Sequence, residues 1–373
     1  MVVLKMLIVD LSKIKANIEI IRKKTNKDII AVVKSNAYGL GASHIIPFLK
    51  KCGVKYFFVN HFSEYLENKM LFKNSYVIVM DSFREKFEYA NVIYTINNLD
   101  DAEFYVKTTI PIKIHIQVDT GMNRLGIKML EDVKKILNIL EKNPLIDVEG
   151  IYTHFSSCVD DNINYDIQKE KFKEFVSLKK FKIVHSAATS SLHKDIVGNM
   201  VRVGLAMYGY GNINLLLKKS LAAYERFINV IEVKKGETVG YQKEKQTTFN
   251  KNYLVGVLPV GYYENPNLTR ISYRGHIYNK IADSCMNHTH FLIDDKINKL
   301  SFLSIIEKND IIDGEKINWY HYITGLSNYK KIYLMRCING NIFKILKNTR
   351  KKGSKGRIRS RRCKIIGIRT IRI

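Results

Sequence analysis

A lysine closes an apolar, β-branched run at residues 28–33, and the chain then reads Lys34-Ser35-Asn36-Ala37-Tyr38-Gly39-Leu40-Gly41. A lysine at a strand end can snorkel to solvent, bind a phosphate, or act as an amine nucleophile made reactive by burial. Tyr38 adds a hydroxyl donor. Gly39 and Gly41 permit a tight turn into a following helix, whose N-terminus can hold an anionic phosphate. Together these residues point to a phosphate-bearing aldehyde cofactor. Other side chains with chemistry close later apolar runs: Asp119, Met122 and Arg124 after 112–118, His154 after 147–153, Thr189 after 182–185, and Arg202 within 199–203. Singly, His154 reads more readily as a satisfied buried histidine and Tyr262 as a packing aromatic, and Arg202 also reads as a salt-bridged core residue.

The elements that must position them alternate. Strand-like runs fall at 28–33, 55–59, 76–80, 92–96, 112–118, 147–153, 182–185 and 199–203, with helical periodicity at 41–51, 130–142 and 163–180. Strand and helix in alternation predict a parallel sheet, and eight such units predict a (β/α)8 TIM-type barrel closing by about residue 225. In that fold, residues at the C-terminal strand ends converge on one site. After residue 230 short strand-like runs and turns dominate. The expected division is an α/β barrel at 1–228, a mostly β C-terminal domain at 229–347 and a basic, disordered tail at 348–373, with the first ten or so residues free to pair with the β domain.

Composition bounds the reading. The 373 residues, 46% hydrophobic and 11% aromatic, suffice for a large core. No run is long enough for a membrane span, so a soluble, cytoplasmic protein is expected. Five scattered cysteines without C-x-x-C spacing disfavour a disulfide framework, and only His288 and His290 lie close together, so no metal is expected. The net charge of +26 is uneven, because residues 350–372 hold eleven Lys or Arg and no acid. That segment could bind nucleic acid nonspecifically at most, since it has no aromatic residue to stack on bases.

The segment AVVKSNAYGLG resembles the cofactor-lysine signature of the alanine racemase family, fold-type III enzymes that use pyridoxal 5'-phosphate (PLP). Further similar segments follow in the family's order: VDTGMNRLGI at 118–127, GIYTHF at 150–155, HSAATSSL at 185–192, MVRVGLAMYG at 200–209, LPVGY at 258–262 and CMNH at 285–288. The resemblance covers residues 1 to about 345. It implies that Lys34 holds PLP, that Tyr38, Thr189 and the backbone of Gly204 and Leu205 bind its phosphate, and that Arg202 faces the pyridine nitrogen. It further implies two bases, Lys34 and Tyr262, with His154 assisting the tyrosine, and Arg124 with the Met286 backbone holding the substrate carboxylate. Tyr262 and Met286 would come from a second subunit, so a homodimer with composite sites is implied, supplying D-alanine for cell-wall peptidoglycan.

The sequence also departs from the family. Gln117 stands where many members have a carbamylated lysine; glutamine cannot be carbamylated, and its amide oxygen is expected to accept from Arg124. Val203 replaces a usual proline, Tyr263-Glu264-Asn265 replaces Ala-Asp-Gly, Ala282-Asp283-Ser284 lacks a usual glycine and arginine, and Asn287 replaces aspartate. Asn328, or Tyr329 in a shifted alignment, falls where an aromatic residue is common, which would admit a hydroxymethyl side chain and so serine. A non-catalytic PLP-binding protein is the alternative of another class, although such proteins generally lack the β domain.

Overall fold

The computed structural model describes residues 6–84, 89–156, 162–211, 215–241, 247–263, 265, 268–297, 301, 303–305, 311–312, 315–316, 332–337, 359–360 and 363–364. Asn328, Tyr329 and Glu264 lie outside the described residues, as does most of the basic segment. The chain forms two compact units, Ile14–Lys218 and the pair of segments Met1–Lys13 and Lys219–Ile373.

The first unit is a barrel of eight parallel strands: β1 Asp28–Val32, β2 Tyr56–Val59, β3 Tyr76–Val79, β4 Val92–Ile96, β5 Ile112–Gln117, β6 Ile146–Tyr152, β7 Ile183–His185 and β8 Met200–Val203. They pair in sequence order, and β8 returns to pair with β1. Between β7 and β8 the ladder is replaced by single bonds, Asn199 N–H to the Val184 carbonyl at 2.9 Å and Arg202 N–H to the Ala187 carbonyl at 3.0 Å, so the barrel is nearly closed. Its interior is filled by Ile30, Phe58, Ile78, Ile93, Tyr152, Ile183 and Met200, one side chain from each of seven strands. Burying each large apolar side chain contributes about 1.5–3 kcal/mol, which is why the runs are β-branched and aromatic.

Between strands lie α2 Ala42–Lys51, α3 Phe62–Asn68, α4 Leu99–Tyr105, α5 Leu130–Leu140 and α6 Asn162–Val176, with α1 Leu11–Thr25 preceding β1. In α5 the buried residues Val133, Ile136, Leu137 and Leu140 follow the i, i+3, i+4, i+7 spacing of one helix face. No described helix is long and apolar enough to cross a membrane. Among the described residues no group of three His, Cys, Asp or Glu side chains could hold a metal ion.

The second unit is mostly β. Met6–Asp10 pairs antiparallel with Leu221–Glu225 and parallel with Ile332–Cys337. A separate antiparallel sheet joins Asn229–Val233, Tyr253–Leu258 and Thr289–Ile293. Val233, Val239, Phe249, Val255 and Ala282 form an apolar core here.

Candidate active site

Lys34 follows the C-terminal end of β1 and begins an unusual turn. Ser35, Asn36, Ala37 and Tyr38 have φ of 51°, 54°, 55° and 61°, a run of four non-glycine residues in the left-handed region. Each such residue costs roughly 1–2 kcal/mol, so the turn must be held from outside. The Ala37 N–H donates to the Val33 carbonyl at 2.9 Å, and the Gly39 N–H to the Ser35 carbonyl at 2.7 Å. Asn36 Oδ1 accepts the Ala42 N–H at 2.7 Å, the Tyr208 hydroxyl donates to the Ala37 carbonyl at 3.2 Å, and the Ser35 N–H donates to Glu64 Oε1. Gly39, at φ 76°, then ends the turn and Gly41, at φ 92°, starts α2. Burial lowers the proton affinity of the Lys34 amine, the Arg124 guanidinium lowers it further, and Glu64 acts the other way. A greater share of the amine is therefore uncharged and nucleophilic than in a free lysine.

The same turn buries Tyr38 and points its hydroxyl at Gly204. A Cβ added to Gly204 would lie 2.0 Å from that oxygen, so the glycine is what lets the phenol lie across the backbone where β8 ends. Gly204 caps the short 3₁₀ helix Leu205–Tyr208. The first N–H groups of such a helix have no intrahelical acceptor, and Thr189, buried with Oγ1 3.3 Å from the Ala206 N–H, stands beside them. Two hydroxyls and a helix start converge on one spot, which suits a phosphate.

Arg202, on β8, is buried. Its Nη1 donates to His185 Nδ1 and to the His185 carbonyl, both at 2.7 Å. Its Nη2 donates to the carbonyls of Thr153 at 2.6 Å and Ser186 at 3.1 Å, and lies 3.4 Å from His154 Nδ1. None of these partners is a carboxylate, and among the described residues Arg202 forms no salt bridge. Burial pulls its pKa down to about 10, which leaves it cationic at neutral pH. Because guanidinium only donates, both imidazoles accept at Nδ1 and carry their protons on Nε2. The His185 Nε2–H then donates to His115 Nδ1 at 3.0 Å, and the chain ends at His115 Nε2, which is buried against Gly150 with no partner among the described residues. Desolvation, with the neighbouring cations, pushes His154 and His115 down to about 3 and His185 well below its ordinary value. All three are neutral near pH 7.

The expected Gln117–Arg124 bond is corrected by the structure. Gln117 Oε1 accepts the Tyr152 hydroxyl at 2.7 Å, and its Nε2 donates to the Leu125 carbonyl at 3.2 Å. The Tyr152 ring, stacked on His185 at 4.6 Å between centroids, holds that hydroxyl against the Gln117 amide oxygen. Arg124 instead lies with Nη2 4.0 Å from Met80 Sδ. Asp119 serves the loop itself, its Oδ1 accepting the N–H groups of Gly121 at 2.9 Å and Asn123 at 3.1 Å.

In the second unit Tyr262 and Met286 sit side by side, about half exposed. The Tyr262 N–H donates to the Cys285 carbonyl at 3.1 Å and the Tyr263 N–H to the Met286 carbonyl at 3.0 Å. A Cβ on Gly261 would lie 2.1 Å from the Cys285 carbonyl oxygen, so glycine is required for this approach. Glu64, His115, Tyr152 and His185 were not assigned roles from the sequence. Tyr152 and His185 do lie in the family-like segments at 150–155 and 185–192, whereas Glu64 carries no such mark, because the residue three before it, His61, is not one of the usual N-cap types.

A profile described as alanine racemase, N-terminal domain, matches residues 9–212. The alanine racemase of Fusobacterium nucleatum is 29% identical over 348 residues, covering 87% of this chain and 97% of that protein. That of Geobacillus stearothermophilus is 30% identical over 277 residues, covering 68% and 70%. The crystal structure of the Bartonella henselae alanine racemase, with covalently bound pyridoxal phosphate, superposes with a TM-score of 0.77 at 22% identity, covering 89% of this chain and 99% of that one. The profile spans more than half of the 373 residues, and the barrel followed by a mostly β unit is the architecture of that structure. The chain belongs to the alanine racemase family of amino-acid racemases.

Proposed function

We propose that the protein interconverts L- and D-alanine with PLP, using Lys34 and, from a second copy of the chain, Tyr262 as bases on opposite faces of the substrate. The observation that carries this reading is the convergence in one barrel unit of a half-buried lysine of lowered proton affinity, a hydroxyl-and-helix cradle, and a buried arginine bonded to no carboxylate. These residues fit the cofactor: Lys34 would join its aldehyde carbon, Tyr38, Thr189, Gly204 and Leu205 its phosphate, and Arg202 its ring nitrogen. When bound, PLP supplies the electron-withdrawing ring that acidifies the Cα–H of an attached amino acid.

Arg202 keeps its own proton near neutral pH, so it orients the ring nitrogen without protonating it. That limits charge withdrawal and suits simple return of a proton to Cα. Lys34, once its amine is released, takes or returns that proton on one face. On the other face Tyr262 does the same, with a hydrogen-bond donor to its oxygen easing the loss of the phenolic proton. His154 suits that role: it is neutral, and with Nδ1 turned toward Arg202 at 3.4 Å its proton sits on Nε2, from which it would donate. Arg124, whose guanidinium lies against a thioether sulfur, is suited to the substrate carboxylate, beside the Met286 backbone. D-alanine for peptidoglycan is the use this activity implies.

Purified protein with PLP and, separately, L-alanine or L-serine should form D-alanine faster than D-serine by chiral chromatography. Faster D-serine would transfer the reading to a serine racemase. No D-product from either, with PLP still fixed on Lys34 by borohydride, would favour a PLP-binding protein without turnover.

A further inference from the structure

One carboxylate is shared between two elements of the barrel unit. Glu64 is the third residue of α3, and its Oε2 accepts the N–H groups of Asn60 at 2.9 Å and His61 at 3.2 Å, which closes the start of that helix. A capping role accounts for those two bonds and for nothing more. The other oxygen, Oε1, accepts the Ser35 N–H, the first amide of the left-handed turn. Ser35 stands next to Lys34, and the four positive-φ residues of that turn are not favoured locally. The charged groups acting on Lys34 are Arg124 from the loop after β5 and Glu64 from α3, and His154, just past the end of β6, is a titratable group on which Lys34 acts. His154 is neutral, so Glu64 supplies the negative charge in this set and Arg124 the competing positive one.

We propose that Glu64 is a positioning residue for the reactive lysine, fastening the Ser35–Tyr38 turn to α3 with one oxygen and providing the negative charge that balances Arg124 beside Lys34. This rests on the reading above that Lys34 joins the cofactor. A glutamine cannot replace it. In Glu64→Gln the side chain has one acceptor oxygen and must turn its NH2 either toward Ser35 or toward Asn60 and His61, so one attachment is lost along with the charge. Aspartate keeps the charge but is one methylene too short to span both elements.

The test uses the full-length protein freed of PLP, so it does not depend on turnover. Acetylation of Lys34 by acetic anhydride is followed against pH by mass spectrometry, and hydrogen exchange is followed for peptides covering 33–41 and 60–68. In Glu64→Gln the acetylation midpoint should move down by about half a pH unit, because loss of the carboxylate weakens Lys34 proton binding. Exchange at 35–38 should accelerate about tenfold or more. Glu64→Asp should accelerate the same exchange with a smaller midpoint shift, and serves if the glutamine variant does not fold. Unchanged exchange at 33–41 with faster exchange at 60–68 alone would reduce Glu64 to a helix cap and overturn the proposal. An unchanged midpoint would overturn its electrostatic half. If the wild type forms no D-alanine while these shifts occur, the racemase reading fails and the placement of Glu64 stands.

Discussion

At the scale of single residues, Arg202 is a buried cation of the proposed site. Its side chain meets three carbonyls and two imidazole nitrogens, a set that needs a planar fork of donors. An ammonium carries three protons on one point and cannot reach them all. Arg202→Lys should therefore lower stability by about 1–3 kcal/mol, the cost of leaving buried acceptors unmet, and should reduce kcat by a larger factor than KM. A denaturant midpoint and steady-state kinetics check both; wild-type values for either would contradict the account. The sequence placed Arg202, Lys34 and His154 at strand ends because apolar runs stop there. It could not show that His185 and His115 complete the chain, since a buried histidine in a strand has no local mark, nor that Gln117 turns to Tyr152 rather than Arg124.

Elements carry the next level of constraint. The Gly39 and Gly41 breaks were legible, but the left-handed run before them was not, because its supports come from Glu64 and Tyr208, far along the chain. Gly204 shows the same nonlocal logic: only the position of the Tyr38 hydroxyl, 2.0 Å from an added Cβ, explains it. Gly204→Ala should displace that phenol and raise the PLP dissociation constant about tenfold or more, as overpacking by one methyl forces neighbours apart. Cofactor titration by absorbance reads the change, and unaltered affinity would show that Tyr38 is not a phosphate ligand.

The histidine chain across β5, β7 and β8 makes a separate prediction. His115 is held at about 3 in the folded protein against an ordinary 6.5, so between those values the unfolded chain binds more protons than the folded one. Stability is then lost as pH falls below 6.5, by up to about 1.4 kcal/mol per pH unit for each such group. His154 and His185 shift the same way and add to the slope. Urea midpoints should decline from pH 7 to 5, and a flat profile would contradict neutral burial of all three.

For the whole molecule, strand and helix alternation made the barrel legible, as the eight parallel strands show. The first ten or so residues were expected to be free to pair with the β domain, but the partner strands of Met6–Asp10, Leu221–Glu225 and Ile332–Cys337, and their register were not readable, since nothing local links segments so far apart in sequence. Tyr262 and Met286 are half exposed in a unit distinct from the one that holds Lys34. The proposed use of Tyr262 from a second copy predicts a dimer, to be seen as twice the 43.3 kDa chain mass by light scattering, with specific activity falling on dilution below the dimer dissociation constant. A fully active monomer would exclude it.

The two-base assignment is tested most directly by racemisation of L- and D-alanine in deuterated water, comparing wild type with Tyr262→Phe and Lys34→Ala. In the Tyr262→Phe protein, inversion should fall by at least about a hundredfold while one enantiomer alone still exchanges its α-hydrogen, because Lys34 continues to serve its face. Loss of exchange in both enantiomers, or inversion at the wild-type rate, would contradict a mechanism in which Lys34 and Tyr262 act on opposite faces.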